Sequence, residues 1–257
     1  MLLSLFPVPA IAENQVSITK DNEYIYIKGN GLPDHKTGQF PNSRNPNAIS
    51  EQNISFRVPL NPVKNPKSKP KRGAVGVALN GITFEPATAE TWNGDRNYNY
   101  EAIDGSRVFG LDQNNAHVQP TGKYHYHGVP SAIAGKGINQ IGYAADGFPI
   151  YSDTTGQYKS SYRLKSGQRP SGPGGQYDGT FSSDYEYVAS LSVLDECNGA
   201  TLDGQYVYFA TETFPFLPRC LYGDPDPSFE QARGNRGGER RRPPHRGERQ
   251  GRPPPRF

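Results

Sequence analysis

Three of the chain's five histidines, His117, His125 and His127, fall within residues 112–128, DQNNAHVQPTGKYHYHG. Between His117 and His125 lies QPTGK, where proline fixes φ and glycine is free to take φ > 0. A tight turn is therefore expected at residues 120–122. A hairpin around it sets Gln119 opposite Lys123 and His117 opposite His125, with Cβ atoms about 4.5–5.5 Å apart. His127 lies two residues beyond His125 and shares its face. The pattern predicts three imidazoles on one side of one hairpin and Tyr124 and Tyr126 on the other. Three neutral imidazoles suit Zn, Cu, Fe or Ni better than Mg or Ca. The competing reading is a set of hydrogen-bonded, structural or proton-handling histidines in a tyrosine-rich strand. His35, in the loop sequence GNGLPDHKTGQFPNSRNPN, is either a fourth ligand reaching in or an exposed loop residue.

Three histidines with an open fourth position resemble a catalytic zinc layout, in which bound water is activated. Candidates for a general base or proton shuttle are Asp112, Asp146, Tyr124 and Tyr126, and Asp112 is also a candidate partner for a ligand imidazole. Sharper assignments fail. A blue-copper centre needs a cysteine ligand. Multicopper oxidases need several H-x-H pairs, and a cupin needs a carboxylate shortly after the pair, which residues 128–133 lack. Neither G-x-S-x-G nor H-E-x-x-H occurs.

The elements that must position these residues read as β-structure. Gly 29, Pro 24 and Tyr 16 are all high for 257 residues. Short aromatic and β-branched runs are bounded by Gly, Pro, Asn and Asp, and no stretch keeps a helical period over three turns. The class is mostly β, with antiparallel strands and long loops. Strands are expected in residues 15–28 around an Asp21-Asn22 turn, in 54–59, in 184–188 and in 206–212. Residues 61–72 (NPVKNPKSKPKR) read as a basic, Pro-rich loop, and 152–180 as a long loop region.

Two blocks recur in the same order. GVALNG at residues 76–81 is echoed by GYAADG at 142–147. Leu111-Asp112, Asn115, Gly122, Tyr124 and Tyr126 are echoed by Leu194-Asp195, Asn198, Gly204, Tyr206 and Tyr208. This predicts a duplication, about 73–130 and 139–212, giving two pseudo-repeated β units. The second copy has Ala200, Val207 and Phe209 where the first has His117, His125 and His127. The tyrosine and Asp/Asn positions then belong to the scaffold and the histidines to the function.

Residues 124–127 (YHYH) also carry a resemblance to a known family, together with GLPDH at 31–35, GVALNGITF at 76–84, LDQNNAHVQPTGKYHYHGVP at 111–130, IGYAADGFPIY at 141–151, LDECNG at 194–199 and FPFLPRC at 214–220. The chain resembles the YHYH-domain family, exported bacterial-type proteins of largely unknown function, over residues 15–230. The resemblance implies a metal site on the same histidines.

The remaining expectations concern location and partners. Residues 1–12 (MLLSLFPVPAIA) look like a secretory signal, either truncated or atypical since it lacks a basic start, with an A-x-A site at residues 10–12. Cys197 and Cys220 are expected to form a disulfide in an oxidising compartment, periplasmic or secreted. The net charge of +3 conceals a basic end: residues 233–257 hold nine Arg and two Glu. Residues 231–257 have almost no apolar content and are expected to be disordered, offering a contact to an anionic surface or polymer; nucleic acid is disfavoured in an exported chain with one aromatic in the tail. No run is long and apolar enough for a transmembrane segment. The whole predicts an exported protein with a copper or zinc site on a β-hairpin, catalysis being open. The alternative is a cell-surface or glycan-binding module in which the histidines are structural.

Overall fold

The computed structural model describes residues 13–103 and 109–230. The expected signal segment and basic tail lie outside the described residues. In chain order the strands are β1 (Val16–Lys20), β2 (Tyr24–Gly29), β3 (Ile54–Pro59), β4 (Lys69–Pro70), β5 (Gly76–Ala78), β6 (Thr83–Phe84), β7 (Thr91–Trp92) and β8 (Asp95–Asn99). They continue as β9 (Ala116–Val118), β10 (Tyr124–Tyr126), β11 (Ile138–Ala144), β12 (Pro149–Asp153), β13 (Tyr162–Leu164), β14 (Tyr185–Tyr187), β15 (Gly199–Leu202), β16 (Gln205–Ala210) and β17 (Cys220–Leu221). Among the described residues one α-helix, α1 (Ser131–Ala134), is a single turn, and short 3-10 turns lie at Ser182–Asp184 and Pro227–Phe229. Among the described residues no helix is long and apolar enough to cross a membrane.

Strands β1, β2 and β3 form an antiparallel sheet in that order. The turn before β2 closes as its composition suggests: Asp21 Oδ1 accepts the Glu23 and Tyr24 amides, both at 2.8 Å. The period-2 pattern of β2 and β3 turns Ile25, Ile27, Ile54, Phe56 and Val58 into the core. Beside it lies an eight-stranded sheet, ordered β15-β16-β12-β11-β5-β6-β10-β9. Most pairings are antiparallel as expected, but this sheet is mixed. Two hairpins, β9–β10 and β15–β16, dock parallel onto β6 and β12. Such docking requires a connection that crosses over, and residues 85–115 and 154–198 supply it. The basic loop likewise contains β4, which pairs with β17, and the loop region 152–180 contains β13, which pairs with β14.

The two hairpins are built alike. Tyr124 donates to Asp112 Oδ2 at 2.7 Å, and Tyr206 to Asp195 Oδ2 at 2.8 Å. Asn115 and Asn198 both take positive φ, 53° and 62°, a region in which asparagine is enriched. Their carbonyls accept the amides of His127 at 2.7 Å and Phe209 at 2.8 Å. The registers match as well: His117 faces His125, and Ala200 faces Val207.

Cys197 and Cys220 are joined in a disulfide spanning 23 positions in sequence. It ties β17 to the turn that precedes β15. Replacing both cysteines by alanine is expected to lower the stability by about 3 kcal/mol, the chain-entropy value for a loop of this length. Urea unfolding of the double variant checks this, and an unchanged midpoint would remove the bridge from the list of constraints.

Candidate metal centre

The hairpin that carries the histidines closes as its turn sequence dictates. Gln119 N donates to the Lys123 carbonyl at 2.9 Å, and Gly122 N to the Gln119 carbonyl at 2.8 Å. Gly122 sits at φ 83°, and a Cβ there would meet Ser50 Oγ at 1.9 Å, so no other residue fits. The turn fixes the register of β9 against β10, and with it the pairing of His117 with His125. β10 is buried along its length. Its alternation sends Tyr124 and Tyr126 into the main core and His125 and His127 to the other face.

The three imidazoles form a closed triangle. Ring centroids are 4.7 Å apart for His117–His125, 4.7 Å for His117–His127 and 4.6 Å for His125–His127. Each ring offers one nitrogen to a group whose members all lie within 4.8 Å of one another. His125 and His127 are each 3% exposed, and His117 is half-buried.

The hydrogen bonds assign the free nitrogens. His117 Nδ1 lies 3.0 Å from the Phe109 carbonyl, which only accepts, so that nitrogen carries the proton and Nε2 keeps its lone pair. His125 Nδ1 faces the Lys123 carbonyl in the same way, at a longer 3.4 Å. Nε2 of His127 lies 3.1 Å from Nε2 of His117; its Nδ1 is buried and makes no well-aligned hydrogen bond, although the Ala87 main chain acts on the ring and opposes the fall of its pKa. The facing nitrogens are within hydrogen-bond distance, and a proton shared between them leaves the other His127 nitrogen without a well-aligned protein partner.

Electrostatics keep the imidazoles neutral. Burial lowers all three pKa values: His125 to about 4, His127 well below the ordinary range, and His117 less far, because the Phe109 carbonyl and nearby carboxylates oppose it. For His127 the neighbouring imidazoles and Arg219 add to the depression. Glu85 stands next to His125. Burial raises its pKa, but His125, Lys123 and the bonds from Lys123 and Thr83 outweigh this and hold it at about 2. Its carboxylate accepts from Lys123 Nζ, from Thr83 Oγ1 at 2.9 Å and from Gln119 Nε2 at 2.8 Å. Farther out, Arg219 clamps Glu101 with bonds of 2.9 and 2.7 Å.

Of the residues expected to act together, the structure gathers His117, His125 and His127 and leaves His35 apart. His35 is on the tyrosine face, with Nε2 2.6 Å from the Tyr126 hydroxyl and Nδ1 3.2 Å from the Lys36 carbonyl. A loop histidine thus meets a tyrosine hydroxyl on the side of β10 opposite the triangle. Asp112 is not the partner of a triad imidazole. Its carboxylate accepts Tyr124, the Asn114 amide at 2.8 Å and the Gly38 amide at 3.0 Å, and a main-chain carbonyl holds His117 instead. Tyr124 and Tyr126 face away from the triangle, and Asp146 accepts from Tyr208 at 2.7 Å in the other half of the sheet. Glu85, Lys123 and the Phe109 carbonyl were missed in the sequence. Thr83 and Glu85 share a face by alternation, but only the parallel pairing His125↔Thr83 brings them beside the histidines.

The donor set fits a transition ion. Nitrogen donors about 2.0–2.1 Å from a zinc ion lie roughly 3.3–3.6 Å apart, close to the 3.1 Å between Nε2 of His117 and Nε2 of His127. A family model described as "YHYH protein" matches residues 55–223. No curated protein and no solved structure matches the chain.

Neutral buried imidazoles set the pH response of the metal-free protein. Below the ordinary imidazole value of 6.5 the unfolded chain takes up protons that the folded site refuses, until His125 protonates at about 4. Stability is therefore expected to fall with pH across that window, His125 alone contributing on the order of 2 kcal/mol by about pH 5. Urea unfolding at about pH 7 and about pH 5 should show a smaller loss in His125→Gln than in the unmodified protein, and an equal loss in both would contradict the assignment.

Proposed function

The chain belongs to the YHYH family, and from that premise and the geometry of the triangle we propose that it is an exported protein that binds one transition ion, copper or zinc, through His117, His125 and His127. The observation that carries this reading is the tautomer of His117. Its Nδ1–H is committed to the Phe109 carbonyl, so a lone pair on Nε2 points at a second imidazole inside a buried cluster. Fixing a ligand imidazole through its other nitrogen is how metal sites orient their donors. A bound ion would supply Lewis-acid or redox chemistry there. The protein's own contribution is to hold three neutral rings, exclude water from two of them and keep Glu85 ionised beside them. The disulfide Cys197–Cys220 is consistent with an oxidising compartment.

The likeness of the two hairpins supports a duplication, about 73–130 and 139–212, in which only the first copy carries donors. In the second, the positions facing the same way hold Ala200, Val207 and Phe209, packed with Leu194 and Tyr158 in a small apolar cluster. A hairpin of this build closes without histidines, which supports assigning the imidazoles to function and the tyrosines to scaffold.

Elemental analysis of the full-length protein after reconstitution tests the reading. About one ion per chain is expected, lost in His125→Ala and retained in His35→Ala. No ion in the unmodified protein, or equal loading of the His125→Ala variant, would leave the histidines a structural role and favour the surface-module alternative.

A further inference from the structure

The second hairpin carries a cation site of its own. The ammonium of Lys64 lies 3.8 Å from the centroid of the Tyr206 ring and 4.3 Å from that of Tyr222. The two rings stand edge to face, with centroids 5.5 Å apart. Oδ2 of Asp195 is 4.0 Å from the ammonium, an ion pair beyond hydrogen-bond distance. Burial works against ionisation of Asp195 and Glu196, and the charge of Lys64 works for it in both.

The walls of this site are assembled without Lys64. Tyr206 donates to Asp195 Oδ2 at 2.8 Å, and Tyr222 donates to Glu196 Oε1 at 2.6 Å. Asp195 and Glu196 run into Cys197, Tyr222 follows Cys220, and the disulfide joins the two segments. The Tyr222 amide also donates to the Tyr208 hydroxyl at 2.7 Å. The rings and carboxylates therefore keep their places whether or not an ammonium lies between them. Lys64 comes from a different kind of segment, the Pro-rich connection between β3 and β4. Its side chain is 43% exposed and its neighbour Val63 points into solvent. Asn65 N on the Tyr222 carbonyl at 2.8 Å and Ser68 Oγ on Glu196 at 3.3 Å hold that loop near the rings.

A cation held by ring faces, with its carboxylate beyond hydrogen-bond distance, is not asked for an N–H. A primary ammonium is strongly hydrated and leaves its donors unused in such a place. A quaternary ammonium has no N–H to satisfy, and the ring quadrupoles attract it as strongly. The other hairpin is closed differently at the matching positions. Tyr124, the counterpart of Tyr206, packs against the Phe40 ring at 6.1 Å, and Asp112, the counterpart of Asp195, accepts the Gly38 amide.

We propose that Tyr206, Tyr222, Asp195 and Glu196 form a cage for a quaternary ammonium group, with Lys64 as an intramolecular placeholder that the ligand displaces. Four strands separate β16 from β10 in the sheet, so the test is independent of metal binding. Choline is titrated into the full-length protein by ligand-observed NMR, beside its uncharged isostere in which a tert-butyl group replaces trimethylammonium. Saturable binding of choline by the unmodified protein is expected, tightening roughly tenfold in Lys64→Ala, where the competing ammonium is gone. The isostere should bind at least about tenfold more weakly than choline. In the Lys64→Ala background, Tyr222→Leu should abolish binding and Tyr222→Phe, which keeps the ring face, should retain it. Absence of binding by both the unmodified protein and Lys64→Ala would overturn the cage, as would equal binding of the isostere or binding undiminished by Tyr222→Leu. Binding by Lys64→Ala alone would make Lys64 a fixed wall and overturn its role as a placeholder.

Discussion

The pairing of β10 between β9 and β6 decides what the histidines see. β10 has only three residues, yet it is covered on both faces and hydrogen-bonded on both edges. A slip of one residue would exchange tyrosines for histidines on every face. What prevents the slip is the set of hydroxyl bonds on the core side. Tyr124 reaches Asp112, and Tyr126 meets Asn80 at 2.9 Å and His35 at 2.6 Å. Each is a buried hydrogen bond that the shifted register would leave unmade, at a cost of about 1–3 kcal/mol per group. The orientation of His125 and His127 is thus set by residues that never touch them.

Burial on the histidine side has the opposite character. The core side is stabilised by what it encloses, whereas the triangle encloses polar rings held neutral, one of them with a nitrogen that makes no well-aligned hydrogen bond. Glu85 adds a buried carboxylate whose ionisation depends on His125, Lys123 and Thr83. Such a cluster weakens the apo fold relative to an apolar filling of the same space. The β15–β16 hairpin displays that filling, with Phe209 stacked on Tyr158 at 4.3 Å.

The hairpin, its turn and the meeting of His117, His125 and His127 were legible in the sequence, because they depend on turn residues and on a period of two within seventeen consecutive residues, 112–128. The strands β1, β2 and β3, though not the pairing of β2 with β3, and the disulfide were legible for similar reasons of alternation and cysteine count. Long-range pairing was not. Nothing local to residues 83–85 announces that Thr83 will lie level with His125. A main-chain carbonyl such as that of Phe109 has no sequence signature at all. His35 illustrates the limit from the other side. Its composition matched the triad, but the loop carrying it crosses the tyrosine face, where an imidazole satisfies a buried hydroxyl as well as it would bind an ion.

The contrast between the two hairpins bears on how such a site can arise. Equal registers, equal Asp–tyrosine bonds and equal positive-φ asparagines show that the backbone makes no demand for imidazole at the three facing positions. Apolar side chains there give a closed, dry cluster. Imidazoles give a triangle whose ring nitrogens converge, and its surroundings differ from the apolar cluster of the other hairpin. Ionic neighbours appear at Glu85 and Lys123, and carbonyls of Phe109 and Lys123 orient the rings. The site is therefore more than three substitutions on a hairpin. It includes the charges and carbonyls that surround the rings.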